Sequence, residues 1–179
     1  MSKANTNFVL WITGLSGSGK TTLAKSFFHR YKKKFPNMVI LDGDELRNII
    51  VSKKQEKQSY GREARINIAL RYSSLCKLLA SQGISVVIST ISMFEEVYKW
   101  NRSNIDNYIE IFLDIPLEEL RSRDPKSIYK KYDNNEIKHV AGLDLKIDIP
   151  KNPDLRVDIK FQRNSKYLEE RIYNLLPEE

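Results

Sequence analysis

Residues Gly14-Leu15-Ser16-Gly17-Ser18-Gly19-Lys20-Thr21 place three glycines, two serines, a lysine and a threonine in eight positions. They follow an apolar run, Phe8–Thr13, and precede a helical pattern that opens at Thr21-Thr22. Strand, glycine-rich loop and helix in that order are what a Walker A phosphate loop needs. Glycine lets the backbone turn tightly and aim its N–H groups at phosphate oxygens, and the helix start adds positive dipole charge. Lys20 is expected to reach the β- and γ-phosphates of ATP, and the Thr21 hydroxyl to hold Mg²⁺. The loop therefore predicts a nucleoside triphosphate site.

A second set of reactive groups follows the next apolar run, in Leu41-Asp42-Gly43-Asp44-Glu45-Leu46-Arg47. Two carboxylates one residue apart can divide two tasks, proton acceptance from a hydroxyl and orientation of a metal ion or its waters. Asp44 is the expected general base, with Asp42 supporting it, and either could orient Mg²⁺ through water. Arg47 would lie one helical turn beyond Asp44, where its planar fork suits an oxyanion. The plainer alternative is that Asp42 and Asp44 cap the following helix, a role compatible with catalysis.

Alternating strand and helix patterns are available to position these groups. Strands are expected at Phe8–Thr13, Val39–Leu41, Ser85–Ser89, Ile109–Asp114 and Leu155–Lys160. Helices are expected at Lys20–Tyr31, Arg62–Ser81, Phe94–Asn104, from Pro116 to about Arg121, and Ser165–Leu176. In the long helix, Ile66, Leu70, Leu75, Leu78 and Leu79 are predicted to face inward. The pattern gives an α/β, three-layer architecture. Its five-stranded parallel sheet has helices on both faces and a ligand crevice at the carboxyl ends of the strands. Residues 124–154 break the rhythm, carrying three of the six prolines and the charged run Lys126–Lys131. An irregular stretch of that length inside a domain is usually functional or disordered.

Bulk composition narrows the class. The 179 residues fit one domain, with 41% hydrophobic and 30% charged residues. No apolar run approaches the roughly 20 residues of a membrane span, and the polar N-terminus is too short for a signal peptide. The single cysteine, Cys76, excludes an internal disulfide, suits a reducing cytoplasm and lies in an apolar pattern that reads as core. The net charge of +7 predicts anionic partners. Basic runs such as Lys32-Lys33-Lys34 lack interleaved aromatics, so neither a polynucleotide nor a membrane partner is expected.

Taken together, the loop, Leu41-Asp-Gly-Asp-x-x-Arg47 and Arg123-Asp-Pro-Lys126-x-x-Tyr-Lys130-Lys131 resemble the adenylylsulfate (APS) kinase family. The resemblance continues through Glu136-Ile-Lys138, Ala141-Gly142-Leu143-Asp144 and Pro150-x-x-Pro-Asp-Leu155. It implies a P-loop kinase that transfers the γ-phosphate of ATP to the ribose 3′-hydroxyl of a nucleotide, with Mg²⁺, as a homodimer. It also implies a mobile lid at about 124–154, with Arg123, Lys126, Lys130 and Lys131 closing over phosphates. Tyr60, Arg65 and Asn67 are placed by it in the acceptor site, with Ile91, Ser92, Val140, Gly142 and Leu143.

The departures from the family pattern fall on the acceptor side. Val140 stands where the family has a phenylalanine that stacks on adenine, and stacking contributes about 1–3 kcal/mol per base. Thr90-Ile-Ser-Met93 replaces Phe-Ile-Ser-Pro, and Asn67 comes one place earlier than the family asparagine. Direct in-line transfer needs no phosphoserine, so Ser92 is read as a binding or backbone-positioning residue. An intact donor side with an altered acceptor side resembles the branch of the family that phosphorylates cytidine diphosphoramidate in capsule biosynthesis. An ordinary adenylylsulfate kinase, a non-catalytic nucleotide-binding module and a nucleic-acid kinase are the alternatives.

Overall fold

The first apolar run forms β1 (Val9–Gly14), buried at every position. It lies at the centre of a parallel sheet with β2 (Val39–Asp42), β3 (Val86–Thr90), β4 (Tyr108–Leu113) and β5 (Leu155–Val157), in the order β2-β3-β1-β4-β5. The computed structural model describes residues 7–52, 60–159 and 165–177. Its helices are α1 (Lys20–Tyr31), α2 (Gly43–Ile50), α3 (Arg62–Ala80), α4 (Glu95–Asn104), α5 (Leu117–Arg123), α6 (Ile128–Asp133) and α7 (Ser165–Leu175). No described helix is long and apolar enough to cross a membrane.

Alternation along β1 divides the core in two. Leu10 and Ile12 pack with Phe27 of α1, Leu120 of α5, Tyr129 of α6 and Ile172 of α7. Val9 and Trp11 pack on the other face with Leu46 of α2, Ile68 and Tyr72 of α3, and Val97 of α4. A strand covered on both faces reads as a continuous apolar run, which is why β1 is conspicuous in the sequence.

Three expectations are corrected. The 124–154 stretch is not wholly irregular, because α6 lies within it. On α3 the buried seam is Ile68, Ala69, Tyr72, Ser73 and Cys76. Ile66, Leu70, Leu75 and Leu79 only flank that core, and Leu78 is 57% exposed. The leucines sit off a seam whose central positions are filled by a tyrosine, a serine and a cysteine. Finally, β5 stops at Val157 rather than Lys160, and Lys160 itself lies outside the described residues.

Glu110 is a buried carboxylate in the middle of β4, 3% exposed and beside Trp11 across the sheet. Arg102 approaches its Oε2 at 3.5 Å but bonds Asp154 more closely, at 2.7 Å. Burial therefore pushes the Glu110 carboxyl up to about 7, against the pull of Arg102. In the unfolded chain the proton leaves near 4.5. The stability that Glu110 contributes is thus full below 4.5 and is lost as pH rises to about 7, by up to about 3 kcal/mol. Glu110→Gln is expected to remove that slope. Urea midpoints at pH 5 and 7.5 should converge on the wild-type value at the lower pH and exceed it at the higher.

Candidate active site

Gly19, in the left-handed region at φ 91°, is the N-cap of α1 and turns the loop into the helix. Within the loop, the Ser18 N–H donates to the Leu15 carbonyl at 3.2 Å. The Tyr129 hydroxyl of α6 donates to the Ser16 carbonyl at 2.9 Å, so a residue remote in sequence fixes the loop's outer turn. Lys20 folds back onto it, donating to the Leu15 carbonyl at 2.7 Å and to Ser18 Oγ at 3.4 Å. Burial pushes the Lys20 ammonium down to about 8, against the attraction of Asp44 and Asp42.

The end of β2 delivers Asp42 to the start of α1. Its Oδ2 accepts hydrogen bonds from Thr21 at 2.8 Å and Ser89 at 2.9 Å, and its Oδ1 accepts the Asp44 N–H at 2.9 Å. Burial alone would raise the Asp42 carboxyl, but these bonds hold it below the usual carboxylate range. Asp42 is also the N-cap of α2, as the capping alternative expected. Gly43 follows because nothing larger fits: a Cβ there would lie 2.8 Å from Thr90 Oγ1. The Tyr72 hydroxyl donates to the Gly43 carbonyl at 3.0 Å and secures the turn from α3. Asp44, one step on, has a 66% exposed side chain and forms an ion pair with Lys126.

These groups share a cavity of about 610 Å³ whose walls include Gly17, Lys20, Thr21, Asp42, Asp44, Arg47, Arg65 and Lys126. Ser16, Gly19, Thr22, Ile91, Ser92 and Arg123 also line it. A second cavity of about 460 Å³ continues from it through Ser16, Arg65, Ile91 and Ile128 and is closed by Tyr60, Ile137, His139, Val140 and Ala141. The Arg47 guanidinium lies 4.5 Å from the centre of the Tyr60 ring. Arg65 donates to the Tyr60 carbonyl at 3.0 Å and to the His139 carbonyl at 2.8 Å. Burial, with Arg47 nearby, pushes the Arg65 guanidinium down to about 10. Two guanidiniums facing one cavity favour an anion there.

Some expected residues stand apart from this space. Asn67 is exposed on α3 and lines neither cavity, while Arg65, two residues earlier, lines both. Lys131 and Lys130 are exposed on α6 outside both walls. Gly142 and Leu143 act behind the wall: a Cβ at Gly142 would stand 2.9 Å from Leu15 Cδ1. Leu143 packs against the core. Gly14 and Ser18 are buried under the loop. Sequence reasoning missed Ser89, Thr90 and Tyr72, whose only signal is a place near the end of a strand or on a helix that crosses it. It also missed Asp144, whose carboxylate accepts the His139 and Val140 N–H groups at 2.7 and 2.6 Å and shapes the second cavity's rim.

The oxygen donors of Thr21, Asp42 and Ser89 suit a hard divalent cation such as Mg²⁺, which takes carboxylate, hydroxyl and water oxygens. A phosphate loop of this construction, opening at the carboxyl ends of a five-stranded parallel sheet beside an acidic turn, defines a P-loop kinase fold. The family model for adenylylsulphate kinase matches residues 6–158. The cytidine diphosphoramidate kinase of Campylobacter jejuni is 40% identical over 168 residues, covering 94% of each chain. The adenylyl-sulfate kinase of Marinobacter nauticus is 36% identical over 152 residues, 84% of this chain and 74% of that one. The Mycobacterium tuberculosis APS kinase solved with AMPPNP and APS superposes with a TM-score of 0.82 at 31% identity, covering 95% and 97% of the two chains. The chain belongs to the adenylylsulphate kinase family, and it is a phosphotransferase.

Proposed function

We propose that the chain transfers the γ-phosphate of ATP to the ribose 3′-hydroxyl of cytidine diphosphoramidate. The observation that carries the acceptor is the second cavity. Its rings are Tyr60 and the imidazole of His139, and aliphatic Val140, with Ala141, Ile137, Ile128 and Ile91, lines it where the family pattern has a phenylalanine. A pyrimidine has less surface to stack than adenine and loses less where a valine stands in place of that phenylalanine. The 40% identity to the Campylobacter jejuni enzyme over nearly the whole chain supports the same acceptor. Adenylylsulfate is the second reading, supported by relatives such as the Marinobacter nauticus enzyme.

In this reading the loop N–H groups and Lys20 hold the β- and γ-phosphates. Mg²⁺, when bound, neutralises charge on those phosphates, and Thr21 and Asp42 would hold it directly or through water. Asp44 accepts the 3′-hydroxyl proton as that oxygen bonds to the γ-phosphorus and the bond to the ADP oxygen breaks. Arg47 and Arg65 grip the acceptor's diphosphate-like group. The 124–154 stretch acts as the lid: it supplies Pro125, Lys126 and Ile128 to the first cavity and Ile137 to Ala141 to the second. Its closure would shed the Lys126–Asp44 ion pair, freeing the base, and exclude water from the transfer.

The test is incubation with ATP–Mg²⁺ and each acceptor in turn, followed by analysis for the 3′-phosphorylated nucleotide. Product from cytidine diphosphoramidate at a higher kcat/KM than from adenylylsulfate supports the proposal, and the reverse order rejects it. Val140→Phe is expected to lower the KM for adenylylsulfate about tenfold by restoring a stacking face, with a smaller change for the cytidine acceptor. Steady-state kinetics on both nucleotides checks this.

A further inference from the structure

At the carboxyl end of β3 lies a pair of hydroxyls that the transfer chemistry above leaves without a task. Thr90 is 5% exposed and Ser92 7%. Their oxygens are 2.7 Å apart, and neither side chain has another hydrogen bond among the described residues. Alternation along β3 separates Thr90 from Ser89. Ser89 serves Asp42, whereas Thr90 faces the side of the sheet where Ile88 packs against α3. The backbone of Gly43 presses against Thr90, and both hydroxyl residues line the first cavity with Arg47, Arg65 and Tyr72.

The chemistry of this corner is uneven. Arg47 and Arg65 can only donate hydrogen bonds. The Tyr72 hydroxyl already donates to the Gly43 carbonyl. Two hydroxyls that share one hydrogen bond keep one proton and three lone pairs, so they can accept as well as donate. A terminal sulfate or phosphate dianion presents acceptors alone and is answered by the guanidiniums. A terminal phosphoramidate presents an N–H donor too, and burying it without an acceptor carries a penalty.

We propose that Thr90 and Ser92 read the terminal group of the acceptor, accepting a hydrogen bond from the N–H of a phosphoramidate. The inference rests on the acceptor reading given above. It makes the hydroxyl pair the element that separates a phosphoramidate end from an isosteric phosphate end on the same nucleoside diphosphate.

Calorimetric titration with cytidine diphosphoramidate and with CDP, each in the presence of ADP and Mg²⁺, tests this on the wild type, Thr90→Val and Ser92→Ala. The wild type is expected to prefer the phosphoramidate by about tenfold or more, and each variant to lose most of that preference while its CDP affinity changes less than threefold. Thermal melting checks that the variants fold; should Thr90→Val fail there, Ser92→Ala and Thr90→Ser carry the comparison, with Thr90→Ser expected to keep the preference. An unchanged preference in folded variants, or an equal loss for both ligands, overturns the inference and leaves the cytidine acceptor standing. Binding of adenylylsulfate with no binding of either cytidine nucleotide overturns both.

Discussion

Replacing Asp44 with asparagine is expected to lower kcat by about 10²- to 10⁴-fold while leaving the KM for ATP within about twofold. The two aspartates of the acidic turn are one residue apart, yet their surroundings differ. Three donors (Thr21, Ser89 and the Asp44 N–H) surround the Asp42 carboxylate and hold it below its ordinary range, which makes it a poor proton acceptor. The Asp44 carboxylate has the Lys126 ammonium as its side-chain partner and otherwise faces the open cavity. Asp42→Asn is therefore expected to raise the apparent KM for ATP–Mg²⁺ as well as lower kcat, because it disturbs Thr21. Steady-state kinetics over a range of free Mg²⁺ separates the two patterns. If Asp44→Asn kept more than a tenth of wild-type kcat while Asp42→Asn lost it with an unchanged KM for ATP, the base would have to be reassigned to Asp42.

That contrast between the two aspartates was only half legible in the sequence. The phosphate loop, the five strand runs and the Asp-Gly-Asp turn announce themselves through local composition, and the structure builds each of them, with β5 ending early at Val157. What the sequence cannot display is which side chains meet when crossovers bring strand ends together. The Tyr72 hydroxyl reaches Gly43 across 29 residues, and Tyr129 reaches Ser16 across 113. Tyr72 belongs to no motif, and Tyr129, though it stands in the Arg123–Lys131 motif, carries no local sign of its bond to Ser16, because the geometric demand is met by the sheet and not by neighbours in the chain. Helix α6 was missed for a related reason. Its one deeply buried residue is Tyr129, and a single anchor in six residues of mostly polar side chains gives no period to detect. On α3 the opposite error arose. Leucine is the commonest apolar residue there, but the helix turns Tyr72, Ser73 and Cys76 to the sheet, and residue type proved a weaker guide than the position of the seam. The placement of Asn67 outside both cavities follows from the same rotation, which presents Arg65 and Ile68 to the site instead.

Lys20→Met is expected to lower kcat by about 10²- to 10³-fold, the range for loss of one preorganised charge that stabilises a transition state. The same substitution is expected to make the ligand-free protein more stable. The Lys20 side chain is buried, and its ammonium leaves water for one loop carbonyl and a weak contact with Ser18. Burial lowers its pKa from 10.5 to about 8, so the folded state bears a cost for the charged form that the unfolded chain does not. That cost is full below pH 8, where both states are protonated, and it disappears as pH rises toward 10.5, where both are neutral. At pH 7 the methionine variant should therefore gain about 1–3 kcal/mol, less than the full shift because the bond to the Leu15 carbonyl is also lost. The gain should shrink between pH 8 and 10. Saturating ATP–Mg²⁺ reverses the order, since the wild type alone regains a partner for the ammonium and takes up a proton on binding above pH 8. Thermal melts with and without nucleotide at pH 7 and 9.5 read all three effects. A variant less stable than wild type at pH 7 would mean that the bond to Leu15, not the burial of the charge, dominates the energetics of Lys20.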